Sequence, residues 1–434
     1  MRNKIPTYIV NLKHRIDRKK NIIKEFRGQL EFEVHFYDAI IDKTPAKGLY
    51  KSLINIIKLA KSQNLPYLLF CEDDHVFTEN FDFERFKNLV KIVNKIEADV
   101  LLGGVSWFDY GVKINSDLYW IDHFTGMQFS IIYSKFYDKI LNTTFNNIDV
   151  IDKWISKLSN DIYLINPFIS IQKDFGYSDV TIKNNKKGIL DNYFLDMANK
   201  LIFLDSIYNH ILNSTIPVIC DNTIKDLQIP VYIINLKNNL DKLSNVLNEF
   251  QNRNEFSIEI VEACENENRA LGLWMSIKKV IALAKEREDE VIIICEDNHV
   301  FTENYNRTTL FKNIYRSAYL GADIVLGGVS DVSHIVVVDE NLCWISEFYN
   351  MQFIIIHNKF YDQILNEGID SNVTSDGKFS EMSPNKYVIH PFISIQKNFG
   401  NSDNHQIDHP IKVDFIRCSD KIQKIKKISK YLKT

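Results

Sequence analysis

Three consecutive carboxyl side chains follow one apolar run of the sequence. Glu72, Asp73 and Asp74 come directly after PYLLFC, which has the length and composition of a strand buried on both faces. Ligands of open α/β sheets bind at the carboxyl ends of strands, so these residues stand where a ligand site is expected. Three unpaired carboxylates repel one another, and a hard divalent cation such as Mg²⁺ or Mn²⁺ would relieve that repulsion. The alternative interpretation is an acidic loop or helix N-terminus.

Two arginines follow the first apolar run, TYIVNL. The guanidinium groups of Arg15 and Arg18 could face a diphosphate or a nucleobase there, because a guanidinium offers several donors in a planar fork. The alternative is a solvated helix start in which they pair with Asp17.

The chain is a tandem duplication. Four segments each recur 224 residues later with few changes: PTYIVNLKHRIDR, FCEDDHVFTEN, MQFSIIYSKFYDKIL and PFISIQKDFGYSD. A constant offset over such a span predicts two copies of one domain, each large enough to bury its own core.

Strand and helix patterns alternate within a copy. Strands are predicted at TYIVNL, FEVHFYDAI, PYLLFC and ADVLLGG, and helices at RIDRKKNIIKEF, KSLINIIKLAKSQ and FERFKNLVKIVNKI. This order predicts an α/β fold with a mainly parallel sheet. A closing helix is predicted at Asp191–Leu212, and the 224-residue offset matches it to Phe415–Thr434. We expect domains at 1–185 and 227–405, a helical connector at 186–226 and a basic helix at 406–434.

Composition excludes several classes of protein. The 434 residues include 52 Lys and Arg against 56 Asp and Glu, a net charge of −4, so no global basic field exists for nucleic acid. Six scattered cysteines without a CxxC pair favour a reducing, cytoplasmic location. The Lys-rich C-terminal segment predicts either peripheral contact with an anionic membrane or, as we favour, packing on the second domain through Ile422, Ile425 and Ile428.

The order of several segments resembles glycosyltransferase family 25, a GT-A family that includes lipooligosaccharide and procollagen galactosyltransferases. The matching segments are NLKHRIDR at 11–18, YDA at 37–39, GLYKS at 48–52, Glu72-Asp73-Asp74, and Gln172 with FGYSD at 175–179. One departure is Leu53, where the family has a histidine. The resemblance implies two tandem GT-A-like, Rossmann-like domains. It also implies metal-dependent, inverting transfer of a hexose from a nucleotide sugar, by default UDP-linked, to a hydroxyl of a glycan, lipooligosaccharide or peptide.

The resemblance assigns roles to individual residues. Asp74 would ligate Mn²⁺ or Mg²⁺ with support from Glu72. The expected donor-binding residues are Asn11, Arg15, Arg18, Glu72, Asp73, Gly103, Gly104 and Gln128. The general base is expected to be Asp152, with Asp179 as the second choice, because both recur in the second copy. For the glycines the alternative is a tight turn. Trp107, Phe108 and Tyr110 could stack on an acceptor sugar.

The second copy lacks part of this chemistry. Asp74 becomes Asn298, Arg15 becomes Asn239 and Arg18 becomes Lys242. We therefore predict an active first domain and a degenerate second domain. A phosphatase is disfavoured because EDDHV lacks the DxDxT context of an aspartyl nucleophile, whereas a non-catalytic tandem protein that binds sugar or nucleotide remains the alternative.

Overall fold

The computed structural model of the chain describes residues 4–145, 150–176, 188–220, 224–368, 373–397, 399 and 411–431. Two compact units divide it, Met1–Ser206 and Ile207–Thr434. The boundary falls inside a helix, so residues 189–206, which we expected in a connector, belong to the first unit.

The first unit is built on an eight-stranded sheet in the order β2-β1-β3-β10-β5-β11-β8-β7. Its strands are β1 (Ile5–Asn11), β2 (Phe32–Asp38), β3 (Tyr67–Glu72), β4 (His75–Phe77), β5 (Val100–Leu102), β6 (Trp107–Phe108), β7 (Gly111–Asn115), β8 (Leu118–Ile121), β9 (Phe124–Thr125), β10 (Phe129–Tyr133), β11 (Ile162–Ile165) and β12 (Ser170–Gln172). Two small two-stranded sheets pair β12 with β4 and β6 with β9.

Most strands of the large sheet run in one direction. Strand β1 pairs in parallel with β2 and β3, and β5 pairs in parallel with β11. Strands β10 and β8 run against their neighbours. The predicted α/β class with a mainly parallel sheet is confirmed.

Helices cover this sheet. They are α1 (Ile16–Glu25), α2 (Pro45–Ser62), α3 (Phe83–Lys95), α4 (Ser134–Asn142), α5 (Ile151–Leu158) and α6 (Ile189–Asn213). Helix α2 begins six residues before the predicted start, because Pro45 lies at its first position, where a missing N–H costs nothing. Its apolar face is fully buried at Leu53, Ile56 and Ile57.

The second unit repeats the first. Its large sheet has the order β14-β13-β15-β22-β17-β23-β20-β19. The strands are β13 (Ile229–Asn235), β14 (Phe256–Glu262), β15 (Val291–Glu296), β16 (His299–Phe301), β17 (Ile324–Leu326), β18 (Asp331–Val332), β19 (Ile335–Val337), β20 (Leu342–Ile345), β21 (Phe348–Tyr349), β22 (Phe353–His357), β23 (Lys386–Ile389) and β24 (Ser394–Gln396). The helices are α7 (Leu240–Glu249), α8 (Arg269–Glu286), α9 (Arg307–Tyr319), α10 (Tyr361–Asn366), α11 (Ser375–Met382) and α12 (Ile411–Tyr431).

The closing helices α6 and α12 correspond at an offset of 221 residues, not 224. Phe168 meets Phe194 edge-on with ring centroids 6.4 Å apart, and Phe392 meets Phe415 with the same separation and interplanar angle. The match of Asp191–Leu212 to Phe415–Thr434 was therefore wrong by three residues. A loop shortened by three residues shifts every later position, and helical periodicity does not reveal such a shift.

The apolar stripe of the C-terminal helix is used in packing. Ile422 and Ile425 are buried within the second unit, and Ile428 is half-buried. Within the described part of the chain, no helix is both long and apolar enough to cross a membrane.

Candidate active site

The loops that follow β1 and β3 meet at one edge of the first unit's sheet. The two strands are parallel neighbours, with Val10 in register with Glu72, so their carboxyl ends lie side by side. Asn11 ends β1, and its side-chain amide donates to Asp73 Oδ2 at 2.7 Å and to the backbone oxygen of Arg15 at 3.2 Å. Asn11 and Asp73, two donor-binding residues implied by the resemblance, are therefore in direct contact.

Arg18 neutralises part of the acidic cluster directly. Its Nη1 donates to Asp73 Oδ1 and to Asp74 Oδ2, each at 3.0 Å, and its side chain is only 12% exposed. Its guanidinium also lies 5.1 Å from the centre of the Phe175 ring. The sequence suggested that a metal ion relieves repulsion among the carboxylates. The structure shows that an arginine from helix α1 already does so for two of them.

Negative charge nonetheless remains in excess. Burial, followed by the charges of Asp74, Asp152 and Asp73, raises the pKa of Glu72 well above its usual range. Burial raises the pKa of Asp74 to about 6, although Arg18 opposes the shift. Glu72, Asp73, Asp74 and Asp152 are thus close enough to affect one another, and Arg18 contacts two of them. This excess of carboxyl groups favours a bound cation.

Asp152 lies in the first turn of α5. Its Oδ2 accepts the backbone N–H of Gly126 at 2.9 Å, and its Oδ1 accepts that of Lys153 at 2.9 Å. Burial raises the pKa of this carboxyl group. The two N–H contacts fix the carboxylate in the pocket lining and lower its pKa, but burial outweighs them, so the group is a stronger proton acceptor than an exposed aspartate.

These groups line one pocket of about 980 Å³ in the first unit. Its acidic side contains Arg18, Glu72, Asp73 and Asp74. The rest of the lining includes Ser106, Trp107 and Thr125 at strands β6 and β9, Asp152 and Lys153 of helix α5, and Leu190, Tyr193, Asp196 and Met197 of helix α6. Four predicted donor or metal residues and the predicted base Asp152 therefore share one cavity.

Several predicted residues support the pocket from outside its lining. Arg15 is buried, and its Nε lies 3.7 Å from Asp17 Oδ1. Gln128 is fully buried and donates to the backbone oxygens of Gly104 and Ser170 at 3.1 and 3.3 Å. Arg15 and Gln128 thus hold the frame on which the pocket is built.

The glycine pair has a steric explanation in the structure. A Cβ on Gly104 would lie 2.0 Å from the Ser170 backbone oxygen, and one on Gly103 would lie 2.7 Å from the Phe129 ring. The Ser170 backbone at Gly104 and the Phe129 ring at Gly103 leave no room for a side chain at either position. The groups that approach these glycines belong to the protein itself.

Three further side chains near these motifs, one histidine and two aromatic residues, belong to the core. His75 is buried, its Nδ1 lies 2.7 Å from Ser170 Oγ, and burial lowers its pKa to about 3. Phe108 and Tyr110 are buried, whereas Trp107 is 39% exposed and lines the pocket. Asp179, the second candidate base, lies outside the described residues.

Helix α6 supplies pocket residues that sequence reasoning missed. Tyr193, Asp196 and Met197 line the cavity, although we had assigned their segment to a connector. Their spacing places them on one face of a helix, and this was the available signal.

A second acidic group lies outside the pocket lining. One ligand atom from each of Asp109, Asp122 and His123 lies within 4.8 Å of the others, which is close enough for a shared metal ion. The repeat offset places Ser333, Ser346 and Glu347 at these positions in the second unit, so the group is confined to the first unit. The sequence pattern did not predict this group, because its members come from two separate loops.

The second unit keeps the frame but alters the site. Lys242 Nζ lies 3.8 Å from Asp297 Oδ1, and Asn235 donates to the backbone oxygen of Leu236 at 2.7 Å instead of to the acidic cluster. Asn298 replaces the aspartate that Arg18 binds in the first unit. The cluster therefore lacks an arginine bridge, and Asp297 is contacted by the side chains of Lys242 and Asn239 instead.

An asparagine spans the second unit's counterpart of the pocket. Asn350 replaces Gly126 and keeps its positive φ, 71° against 97°. Its side chain donates to Gln396 Oε1 at 3.0 Å and accepts from the Ser330 hydroxyl. Asn350 therefore links the counterparts of Ser106 and Gln172, two residues that line the pocket of the first unit.

No protein-family model and no curated protein sequence matches the chain. Similar solved structures include apo UDP-glucose pyrophosphorylase, at 10% identity and a TM-score of 0.27 over 45% of this chain and 82% of that one. The UDP-glucose complex of a UDP-glucose pyrophosphorylase matches at 11% identity and 0.27, over 44% and 81% of the two chains. HddC from Yersinia pseudotuberculosis, complexed with GMP-PN, matches at 12% identity and 0.22, over 45% and 99%. Scores this low carry no information on activity.

Proposed function

We propose that the first unit is a metal-dependent, inverting glycosyltransferase that moves a hexose from a nucleotide sugar, UDP-linked by default, to an acceptor hydroxyl of a glycan, lipooligosaccharide or peptide. One observation carries the proposal: Arg18, the acidic cluster and Asp152 face the same cavity at the carboxyl ends of parallel strands. A cation site and an arginine suit a diphosphate, and a separate carboxylate suits the activation of a hydroxyl.

The residues of the acidic side fit a divalent cation. Oδ1 of Asp74 is buried and accepts no hydrogen bond among the described residues, although the Gln172 amide lies close enough to lower the pKa of the carboxyl group. Asp74 and Glu72 would hold Mn²⁺ or Mg²⁺, which prefer carboxylate oxygens. When bound, such an ion neutralises the charge that develops on a leaving diphosphate.

Asp152 would act as the base. Its carboxylate takes the proton of the acceptor hydroxyl while that oxygen forms a bond to the anomeric carbon, and the bond from that carbon to the diphosphate oxygen breaks. The nucleoside diphosphate leaves with the electron pair, and Asp152 then releases its proton to solvent. Attack from the face opposite the leaving group inverts the anomeric configuration. Arg18 would orient the diphosphate beside the cluster.

A second candidate is a protein that binds sugar or nucleotide without catalysis. It is favoured by the contact of Arg18 with both Asp73 and Asp74, which holds the cluster together without a cation. For the second unit we propose a degenerate site that positions the acceptor or mediates assembly, because its arginines and one aspartate are replaced and Asn350 spans the cavity.

The test is a screen of UDP- and GDP-sugars with the intact chain, with and without Mn²⁺ or Mg²⁺. We expect slow, cation-dependent release of nucleoside diphosphate from one donor in the absence of an acceptor. The active donor is then tested with Asp152→Asn. Its matched control is Asp376→Asn, which makes the same change at the counterpart of Asp152 in the second unit. Saturable nucleotide binding without turnover of any donor would contradict the enzymatic proposal and support the binding protein.

A further inference from the structure

One side of the pocket is aromatic and exposed although it lies in a concavity. Trp107 is 39% exposed and Tyr193 is 36% exposed, and both line the cavity with the buried side chains of Leu190 and Met197. We name this set the aromatic wall. We infer that the aromatic wall is an acceptor subsite that stacks on a pyranose ring, an inference that rests on the proposed function and specifies its acceptor as a carbohydrate.

The exposure of Trp107 is unusual within this chain. The remaining tryptophans are at most 4% exposed: Trp120, Trp154, Trp274 and Trp344. An indole left partly in water loses the hydrophobic stabilisation that burial gives, and large aromatic rings in a pocket are typical of ligand recognition. The apolar face of a pyranose would cover it and exclude water.

The polar groups of the wall suit hydroxyls better than phosphates. Asp196 and Asp152, which line the cavity together with Lys153, are carboxylates that accept hydrogen bonds. Ser106 and Thr125 add a hydroxyl pair, 3.0 Å apart, that also lines the cavity. A neutral polyol satisfies these groups, whereas a diphosphate would pair with Arg18 and with a cation held by the acidic cluster.

The position of the wall agrees with this role. Asp152 accepts the backbone N–H of Gly126, and the preceding residue, Thr125, is in register with Trp107, so the proposed base lies near the wall in the cavity that the acidic cluster also lines. A sugar ring stacked on the wall would therefore present a hydroxyl to the proposed base while the donor diphosphate occupies the part of the cavity beside Arg18.

The second unit has lost the aromatic wall. Asp331 replaces Trp107 and forms an ion pair with Lys421 at 2.9 Å. At the 221-residue offset of the closing helix, Asp414 replaces Tyr193 and pairs with Arg417 at 3.1 Å. The frame is kept while both aromatic rings are exchanged for aspartates, so the rings are not required by the fold.

The experiment uses Trp107 as its own reporter. The full chain, saturated with UDP and Mn²⁺, is titrated with methyl β-D-galactopyranoside, methyl β-D-glucopyranoside and methyl N-acetyl-β-D-glucosaminide while tryptophan emission is recorded. We expect a saturable change with at least one glycoside, and we expect it to vanish in Trp107→Phe because the other tryptophans are buried. Ligand-observed NMR should show glycoside affinity weakened about tenfold or more in Trp107→Ala and in Tyr193→Ala.

Asp331→Ala in the second unit is the matched control, and it should keep the full glycoside response. Thermal unfolding of each variant verifies that the fold persists. Absence of a response to all three glycosides would overturn the inference. An unaltered response in Trp107→Phe would also overturn it. A full fluorescence change with UDP alone would overturn it too, because it would place the nucleobase on the aromatic wall.

Failure of this inference can be told apart from failure of the proposed function. Donor turnover without glycoside binding would remove the aromatic wall as an acceptor subsite and leave the transferase intact. Glycoside binding at Trp107 without turnover of any donor would keep a sugar site and remove the transferase.

Discussion

The two units share one frame and differ in the groups that face the cavity. Both keep the buried glutamine that donates to a glycine and a serine carbonyl, Gln128 and Gln352. Both keep an aspartate that accepts a backbone N–H at 2.9 Å: Asp152 accepts that of Gly126, and Asp376 accepts that of Asn350. Only the first unit has the arginine bridge of Arg18. The two units thus share the residues that hold the architecture and differ in those that line the proposed ligand site.

The comparison also separates two kinds of recurring residue. The glycine pair recurs because a side chain would collide with a phenylalanine ring or a backbone oxygen of the protein itself, whereas the acidic cluster recurs incompletely, with Asn298 in place of Asp74. Recurrence between copies therefore identifies the fold more securely than it identifies the chemistry.

The largest expected effect comes from the proposed base. Asp152→Asn should lower the transfer rate about 10²–10⁴-fold, because an amide cannot take the acceptor proton. Asp376→Asn makes the same change in the second unit and should leave the rate unchanged. The measurement is the initial rate of nucleoside diphosphate release with donor and acceptor present. Equal losses in both variants would show that the aspartate serves the fold in each unit.

The glycines give a prediction on stability. Gly104→Ala and Gly328→Ala should each destabilise their unit by about 3 kcal/mol or more, because each new Cβ would lie 2.0 Å from a backbone oxygen, of Ser170 and of Ser394 respectively. Denaturant unfolding of both variants would measure this. A stable Gly104→Ala variant with weakened donor binding would contradict the steric explanation and restore the glycine as a donor-binding residue.

The asparagine of the second unit can be transferred to the first. Gly126→Asn should reduce ligand affinity about tenfold, because its side chain would reach Ser106 and Gln172 as Asn350 reaches Ser330 and Gln396. Binding of UDP and of a glycoside would be measured by calorimetry or NMR, with Asn350→Gly as the reciprocal control. Unchanged affinity in Gly126→Asn would mean that Asn350 does not close the second cavity.

The pH dependence should be the mildest effect. The base must be ionised to act, and burial raises the pKa of Asp152 above its usual 3.8. Activity should therefore fall as the pH drops through that raised value, and the acidic limb of kcat/KM should lie above pH 3.8. A profile that stays flat down to pH 4 would count against Asp152 as the base.

Much of this could be predicted from the sequence. The alternation of strand and helix patterns predicted the α/β sheet, and the acidic cluster after a buried strand predicted a ligand site at its carboxyl end, while the grouping of Asn11 and Arg18 with that cluster came from the family resemblance. The contact of Arg18 with both Asp73 and Asp74 could not be predicted, since spacing does not say which way a side chain points. The role of Tyr193 and Asp196 was missed because helix α6 reads as a connector until its packing is known. The closing helices correspond at an offset of 221 residues, and this was missed because every earlier segment of the repeat matches at 224.

The most direct test of the central claim exchanges the residue that distinguishes the two clusters. Asp74→Asn gives the first unit the amide found at Asn298, and Asn298→Asp gives the second unit the carboxylate found at Asp74. Cation-dependent donor turnover by the intact chain should fall about tenfold or more in Asp74→Asn, because the cluster loses one of its charged oxygen ligands. Turnover should be unchanged in Asn298→Asp. Full turnover in Asp74→Asn would contradict the assignment of the chemistry to the first unit's acidic cluster.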